Sequence, residues 1–283
     1  MTGVAADLSR THWRLLSSPP SSGAGNMAMD QALLESASHT GFHPTMRFYR
    51  WSPPALSLGR FQPAGDVDLE ACAAEGIDVV RRPTGGKSIL HLDDFTYSII
   101  IPRDIPMPDS VVEAYSIICG GILRALEILG IKAIIQSRKG DDYRSAGGAC
   151  FAASTQADLE YAGRKLCGSA QVRRQGALLQ HGSILLRDHS DLLFKLLHFR
   201  DAEERERRLS DFRMRCMALD ETGCLYSWSE MTDSFRRGFA DNFEIELCEG
   251  ELTVEERGRR DILTEAYASR QWLYNPESLA FPI

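Results

Sequence analysis

The chain has 283 residues, 43% hydrophobic and 25% charged, an ordinary globular composition that excludes a disordered chain and allows one large domain or a domain with an appendage. A formal net charge of −7 argues against a sequence-independent nucleic-acid binder, which carries a strongly basic domain, and favours a small molecule or another protein as partner. Apolar runs such as Ile99-Ile100-Ile101 fall far short of the roughly 20 residues of a bilayer span, so no membrane partner is expected.

The opening MTGVAADLSRTHWRLLSSPP has no basic start leading into an apolar stretch, which predicts a cytoplasmic rather than a secreted protein. After the loop SSPPSSGAG, Met29, Ala32, Leu33 and Ala37 recur at helical spacing, with Asn26 as the expected N-cap. TMRFYRW and PALSLGR alternate like strands on either side of Pro53-Pro54, predicting a hairpin or two neighbouring strands. DLEACAAEG predicts a short helix closed by Gly76, and IDVVRRP a strand ended by Pro83. FTYSIIIP alternates and then turns wholly apolar, as a central strand does. Ser110 and Glu113 form a capping box before a long apolar-faced helix that Gly130 stops. IKAIIQS and LLQHGSILLR predict two more strands, and from about residue 190 the periodicity becomes helical. The elements therefore describe an α+β core over residues 13–188 and a mainly helical extension over residues 189–283 packed on it.

Three segments can carry chemistry. In RRPTGGKSILH the Thr84-Gly85-Gly86 turn exposes backbone N–H groups that can cradle an anion or a carbonyl oxygen, with Arg82 or Lys87 supplying charge. Alone it is equally compatible with a tight hairpin turn, and His91 with a structural histidine. In GRKLCGSAQ, Lys165 precedes small residues, Gly168-Ser169-Ala170, that read as a close-approach turn, and farther on His181 faces inward beside Gly182. In SAGGACFAAS, Cys150 follows two glycines that offer no side chain to bury its thiol. A nearby ammonium lowers a thiol's pKa, so Cys150 close to Lys165 would be an activated nucleophile, with Cys167 as its rival. The seven cysteines include no CxxC pair, which argues against a disulfide framework or a zinc knuckle.

RRPTGGKSILH…TYS, ACF, GRKLCGSAQ…G…LQHGSILL and the N-terminal NMAMDQALL together resemble the lipoate-protein ligase and octanoyltransferase family, each weak alone but specific as four in family order. The resemblance runs from about Trp13 through the C-terminal helices and implies a biotin/lipoate ligase-like α+β fold, a mixed sheet flanked by helices. Ala149-Cys150-Phe151 ahead of the lysine is most similar to the branch that moves octanoyl groups from acyl carrier protein to the glycine cleavage H protein.

The resemblance implies Cys150 as the acyl-accepting nucleophile and Lys165 as its partner at the thioester carbonyl. Arg82, Thr84, Gly85, Gly86 and His91 would line the acyl pocket with His181, and backbone N–H groups of Gly168, Ser169 and Ala170 would hold the tetrahedral oxyanion. No ATP, metal or other cofactor is implied. Lys87-Ser88, Leu92 and Asp94-Phe95 depart from the family pattern, which affects the detail of the pocket more than the reaction. Three alternatives stay open: an ATP-dependent lipoate ligase, an octanoyl amidotransferase between lipoyl domains, and a degenerate acyl-binding module without activity.

Overall fold

The structure, a computed structural model, describes residue 8 and residues 12–136 and 158–277. Along the chain run β1 (His12–Ser17), α1 (Gly23–Ala37), β2 (Thr45–Tyr49), β3 (Ala55–Leu58), α2 (Leu69–Ala74), β4 (Asp78–Arg81), β5 (Ile89–His91), β6 (Asp94–Ile101), α3 (Val111–Ile128) and β7 (Ile134–Gln136). After the segment that holds Cys150, which lies outside the described residues, come β8 (Asp158–Tyr161), β9 (Arg164–Arg174), β10 (Ala177–Leu185), α4 (Ser190–Lys195), α5 (Ala202–Arg215), α6 (Trp228–Phe243), β11 (Glu246–Glu249), α7 (Val254–Tyr267) and α8 (Arg270–Tyr274).

Eight strands form one mixed sheet in the order β11-β1-β2-β6-β10-β9-β8-β7, and β4-β3-β5 form a smaller one. The β11, β1 and β2 strands run parallel, and pairing is antiparallel from β2 across to β7. Every residue of the central β6 is buried because both faces of the sheet are covered. Phe95, Tyr97, Ile99 and Ile101 pack under α3 and α6, while Ile100 packs with Leu33 and Leu34 of α1. The chain after residue 188 is built into both layers: β11 extends the sheet beside β1, and Leu263 and Tyr267 of α7 pack with Met27 and Ala28 of α1. Among the described residues no helix is long and apolar enough to cross a membrane.

Local signals place several ends where the spacing predicts. The Ser110 hydroxyl accepts from the Glu113 N–H at the start of α3, and Gly130, with φ +82°, follows its end. Asp68 caps α2, and Gly76, with φ +67°, follows it. Two expectations are corrected. Ser22, not Asn26, caps α1, and Asn26 sits inside the helix, donating to the carbonyls of Ser21 and Arg50. The segments around Pro53-Pro54 do not pair: β2 belongs to the large sheet and β3 to the small one. Two prolines in succession offer no backbone N–H, so the ladder cannot continue through them.

α6 meets α3 closely enough that a Cβ on Gly238 would sit 2.6 Å from the Ala125 Cα. Gly238→Leu is expected to destabilise by about 1–3 kcal/mol through overpacking, whereas Gly258→Ala on α7 meets open space and should stabilise slightly by helix propensity. Opposite shifts in thermal melts check the pair.

Candidate active site

The site begins with a charged residue on an otherwise packed helix. Asp30 lies on the buried stripe of α1 and is fully enclosed. Its carboxylate accepts from Arg47 at 2.7 Å, Ser98 at 2.9 Å and Tyr49 at 3.0 Å, and lies 3.0 Å from His181 Nδ1. Burial pushes the Asp30 carboxyl up, but the His181 hydrogen bond and the Arg47 charge outweigh it, and the net pKa is below the ordinary value. The carboxylate therefore stays ionised and holds the His181 proton on Nδ1. In the neutral ring Nε2 is then the acceptor, and the Thr84 hydroxyl meets it at 2.6 Å.

His91 is held in a parallel way. Its Nδ1 is 2.7 Å from Asp94 Oδ2, its Nε2 is 2.9 Å from Ser57 Oγ, and Trp51 stacks on its face at 3.8 Å between ring centres. Burial pushes the His91 pKa below the ordinary imidazole range in spite of the Asp94 carboxylate, so the ring is neutral near pH 7. Asp94 also accepts from Thr96 at 2.8 Å and Ser183 at 2.6 Å.

These residues surround a narrow pocket whose cavity is about 20 Å³, room for roughly one water, so a larger ligand must part its walls to enter. Of the residues expected from sequence, Arg82, His91, Gly168, Ser169, Ala170 and His181 line it. Met27, Tyr49, Trp51 and Ile89 add apolar wall. Thr84 reaches the pocket through His181 rather than lining it. Gly85 and Gly86 also stand off the lining. The Gly85 carbonyl instead takes the Arg82 guanidinium at 2.8 Å.

Two assignments change. Arg82 has its N–H donors engaged within the protein rather than held ready for an anion, because its guanidinium donates to the carbonyls of Ser57, Gly85 and Lys87 and thereby fixes the loop. Gly168, Ser169 and Ala170 are not a turn: they lie inside β9, opposite Ser183, Gly182 and His181 of β10. Small residues recur there for packing, since a Cβ on Gly182 would meet Ser169 Oγ at 2.6 Å and Tyr97 Oη at 2.7 Å. The true reversals are Ala162-Gly163 and Gln175-Gly176, two-residue hairpin loops with positive φ at both positions.

Lys165 is buried near the start of β9 with its Nζ 3.0 Å from the Asp158 carboxylate. It is not part of the pocket lining, but by strand alternation shares a face of β9 with Cys167 and Ser169. Burial pushes the Cys167 thiol up to about 11, despite the Ser169 hydrogen bond and the Lys165 charge. Cys167 is accordingly a protonated packing residue near neutral pH.

A model of the lipoyl protein ligase A/B catalytic domain matches residues 22–240. The chain belongs to that family. Octanoyltransferase LipM of Brevibacillus brevis is 40% identical to it over 269 residues, covering 92% of this chain and 98% of that one. Octanoyltransferase LipM of Carboxydothermus hydrogenoformans is 41% identical over 267 residues, covering 93% and 98%. A bi-partite lipoate protein ligase from Thermoplasma acidophilum superposes with a TM-score of 0.79 at 24% identity, over 94% of this chain and 97% of that one. A lipoate-protein ligase A bound with ATP superposes with a TM-score of 0.76 at 25% identity, over 93% and 98%. The mixed sheet flanked by helices is thus the lipoate ligase fold.

Within this family frame, Asp30, Arg47, Trp51 and Ser57 support the site without a role expected from sequence, and Asp94, noted there only as a departure from the family pattern, supports it too. Asp30 carried a readable signal: it stands on the stripe Asn26, Asp30, Leu33, Leu34, Ala37, where an acid has no business unless a partner meets it. Arg47 and Ser57 carried none, because polar residues alternate in most strands.

Proposed function

We propose that this chain takes an octanoyl group from octanoyl-acyl carrier protein onto the Cys150 thiol and passes it to a lysine of the glycine cleavage H protein. Octanoyl transfer is the activity named for relatives that match the chain nearly end to end at about 40% identity. The observation that carries the proposal is the pocket, whose walls are apolar and whose polar groups are tied to one another. Such a lining suits an alkyl chain ending in a carbonyl rather than a polyphosphate. Among its described lining residues Arg82 is the only lysine or arginine, and its guanidinium is committed to backbone carbonyls. An alkyl tail entering it gains about 0.8 kcal/mol per CH₂, so two methylenes change affinity roughly fifteenfold.

The Cys150 thiolate attacks the thioester carbonyl carbon, the carbon–sulfur bond to the carrier breaks, and the carrier leaves as a thiol with the proton Cys150 gave up. The acceptor amine then attacks the acyl-enzyme, the bond to Cys150 breaks, and the amine's surplus proton returns to the thiolate as the amide forms. Lys165, buried beside Asp158, supplies an ammonium that favours the thiolate and the developing oxyanion. Arg82, His91, Gly168, Ser169, Ala170 and His181 bind the acyl group, and Thr84, Gly85 and Gly86 hold the loop that shapes one wall.

Incubation with octanoyl-carrier protein and unmodified H protein, without ATP, is expected to add one octanoyl mass to the H protein. Product formed only from free acid and ATP would replace the transferase by a ligase. Transfer only between lipoyl domains would make the chain an amidotransferase, and binding without turnover an acyl-binding module.

A further inference from the structure

The parallel pairing of β1 with β11 gathers three metal-ligating side chains that lie far apart in sequence. His12 stands opposite Glu246, and the two-residue period of a strand puts Cys248 on the same face, one step along β11. His12 Nδ1 is 3.1 Å from Glu246 Oε2, and donor atoms of His12, Glu246 and Cys248 all lie within 4.8 Å of one another. No other group of three or more His, Cys, Asp or Glu side chains is gathered this closely among the described residues. We infer that this edge of the large sheet binds a divalent zinc-class ion through the His12 imidazole, the Glu246 carboxylate and the Cys248 thiolate, with water completing the shell.

The donor chemistry selects the ion. One nitrogen, one oxygen and one thiolate sulfur form a borderline-to-soft set that suits Zn²⁺ and is wrong for Mg²⁺ or Ca²⁺, which take oxygen ligands. Bond lengths of about 2.0–2.3 Å to a tetrahedral ion require donors roughly 3.3–3.8 Å apart. His12 and Glu246 are 69% and 70% exposed, so their side chains can rotate by the small amount that closes the present separations. Arg14, opposite Cys248 in register, does not compete for the thiolate, because Glu256 holds its guanidinium at 2.7 and 2.9 Å. On binding, the Cys248 Sγ–H bond breaks, its proton goes to solvent, and the sulfur lone pair replaces a water on the ion. The ion grips both strands, so it favours the paired edge and stabilises it by linkage.

Cobalt is the probe. Titrating the full-length reduced chain with Co²⁺ is expected to give a thiolate-to-cobalt charge-transfer band that saturates at about one ion per chain and is displaced by Zn²⁺. The band should vanish in Cys248→Ser and in His12→Ala, and persist in Cys150→Ala and Cys224→Ser. Zn²⁺ should raise the Tm of wild type and leave that of the two site variants unmoved. His12 and Cys248 are exposed, so both variants are expected to fold, which circular dichroism checks. No band in wild type, a band that survives Cys248→Ser, or one that survives His12→Ala overturns the site.

Discussion

Cys150→Ala is expected to abolish the octanoyl-enzyme intermediate and to lower transfer by at least about a thousandfold, the scale on which losing a covalent nucleophile is felt. Three of the buried thiols among the described residues are poor substitutes. Burial holds Cys72 and Cys167 near 11 and Cys119 well above its ordinary value, so all three stay protonated at neutral pH. Intact-mass measurement after mixing with octanoyl-carrier protein should show one added octanoyl group in wild type and Cys167→Ala and none in Cys150→Ala. Lys165→Ala should slow the appearance of the adduct by about 10²–10³ without moving it to another residue, the effect of removing one group that stabilises developing charge. An adduct that survives Cys150→Ala and disappears with Cys167→Ala would move the nucleophile onto β9 and sink the assignment.

Asp30→Ala is expected to cost about 3–5 kcal/mol of stability, because it leaves the Arg47 guanidinium buried without its counter-charge. Arg47 is 1% exposed, so water cannot take the carboxylate's place without opening the layer between α1 and the sheet. Tyr49→Phe removes a single donor to the same carboxylate and should cost only about 1 kcal/mol, which separates the ion pair from the rest of the network. The pH dependence has a definite sign. The native Asp30 pKa lies below the ordinary value, so its contribution is fully present above about pH 4 and is lost as the pH falls through the native pKa. Urea unfolding between neutral pH and pH 3 should show this acid-side loss in wild type and a shallower one in Asp30→Asn. A cost below about 1 kcal/mol for Asp30→Ala would mean that the pair does not hold α1 to the sheet.

Much of the fold could be read from short stretches. The Ser110 cap, the left-handed glycines 76 and 130, and the apolar run of β6 depend on contacts within a turn or two, or on burial of a single strand, and they stand where periodicity put them. Gly168-Ser169-Ala170 misled for a physical reason. Small residues signal a turn when they free the backbone and a strand when they admit a neighbour, and only the Tyr97 and Ser169 hydroxyls at Gly182 distinguish the two. The hairpin loops at Ala162-Gly163 and Gln175-Gly176 carried glycine at the second position only, with Ala162 and Gln175 held at positive φ against their preference, so the turn signal was half present.

The pocket is a different matter. His181 and Asp30 are 151 positions apart, and Thr84 and His181 are 97 apart, so no local propensity encodes that they meet. Arg82 shows the same limit in reverse: its residue type promises donors for a ligand, yet the fold of its own loop occupies its N–H groups with three carbonyls. His12 and Cys248 come together only because β11 enters the sheet beside β1. Residue chemistry was enough to nominate a nucleophile, and the resemblance of a few short motifs to a known family was enough to name the family and the reaction class, since each motif is carried by adjacent side chains. Which of those side chains share a pocket, and which are spent holding it open, follows from strand order and layer packing, because contacts between distant segments are fixed by how the whole chain buries its apolar surface.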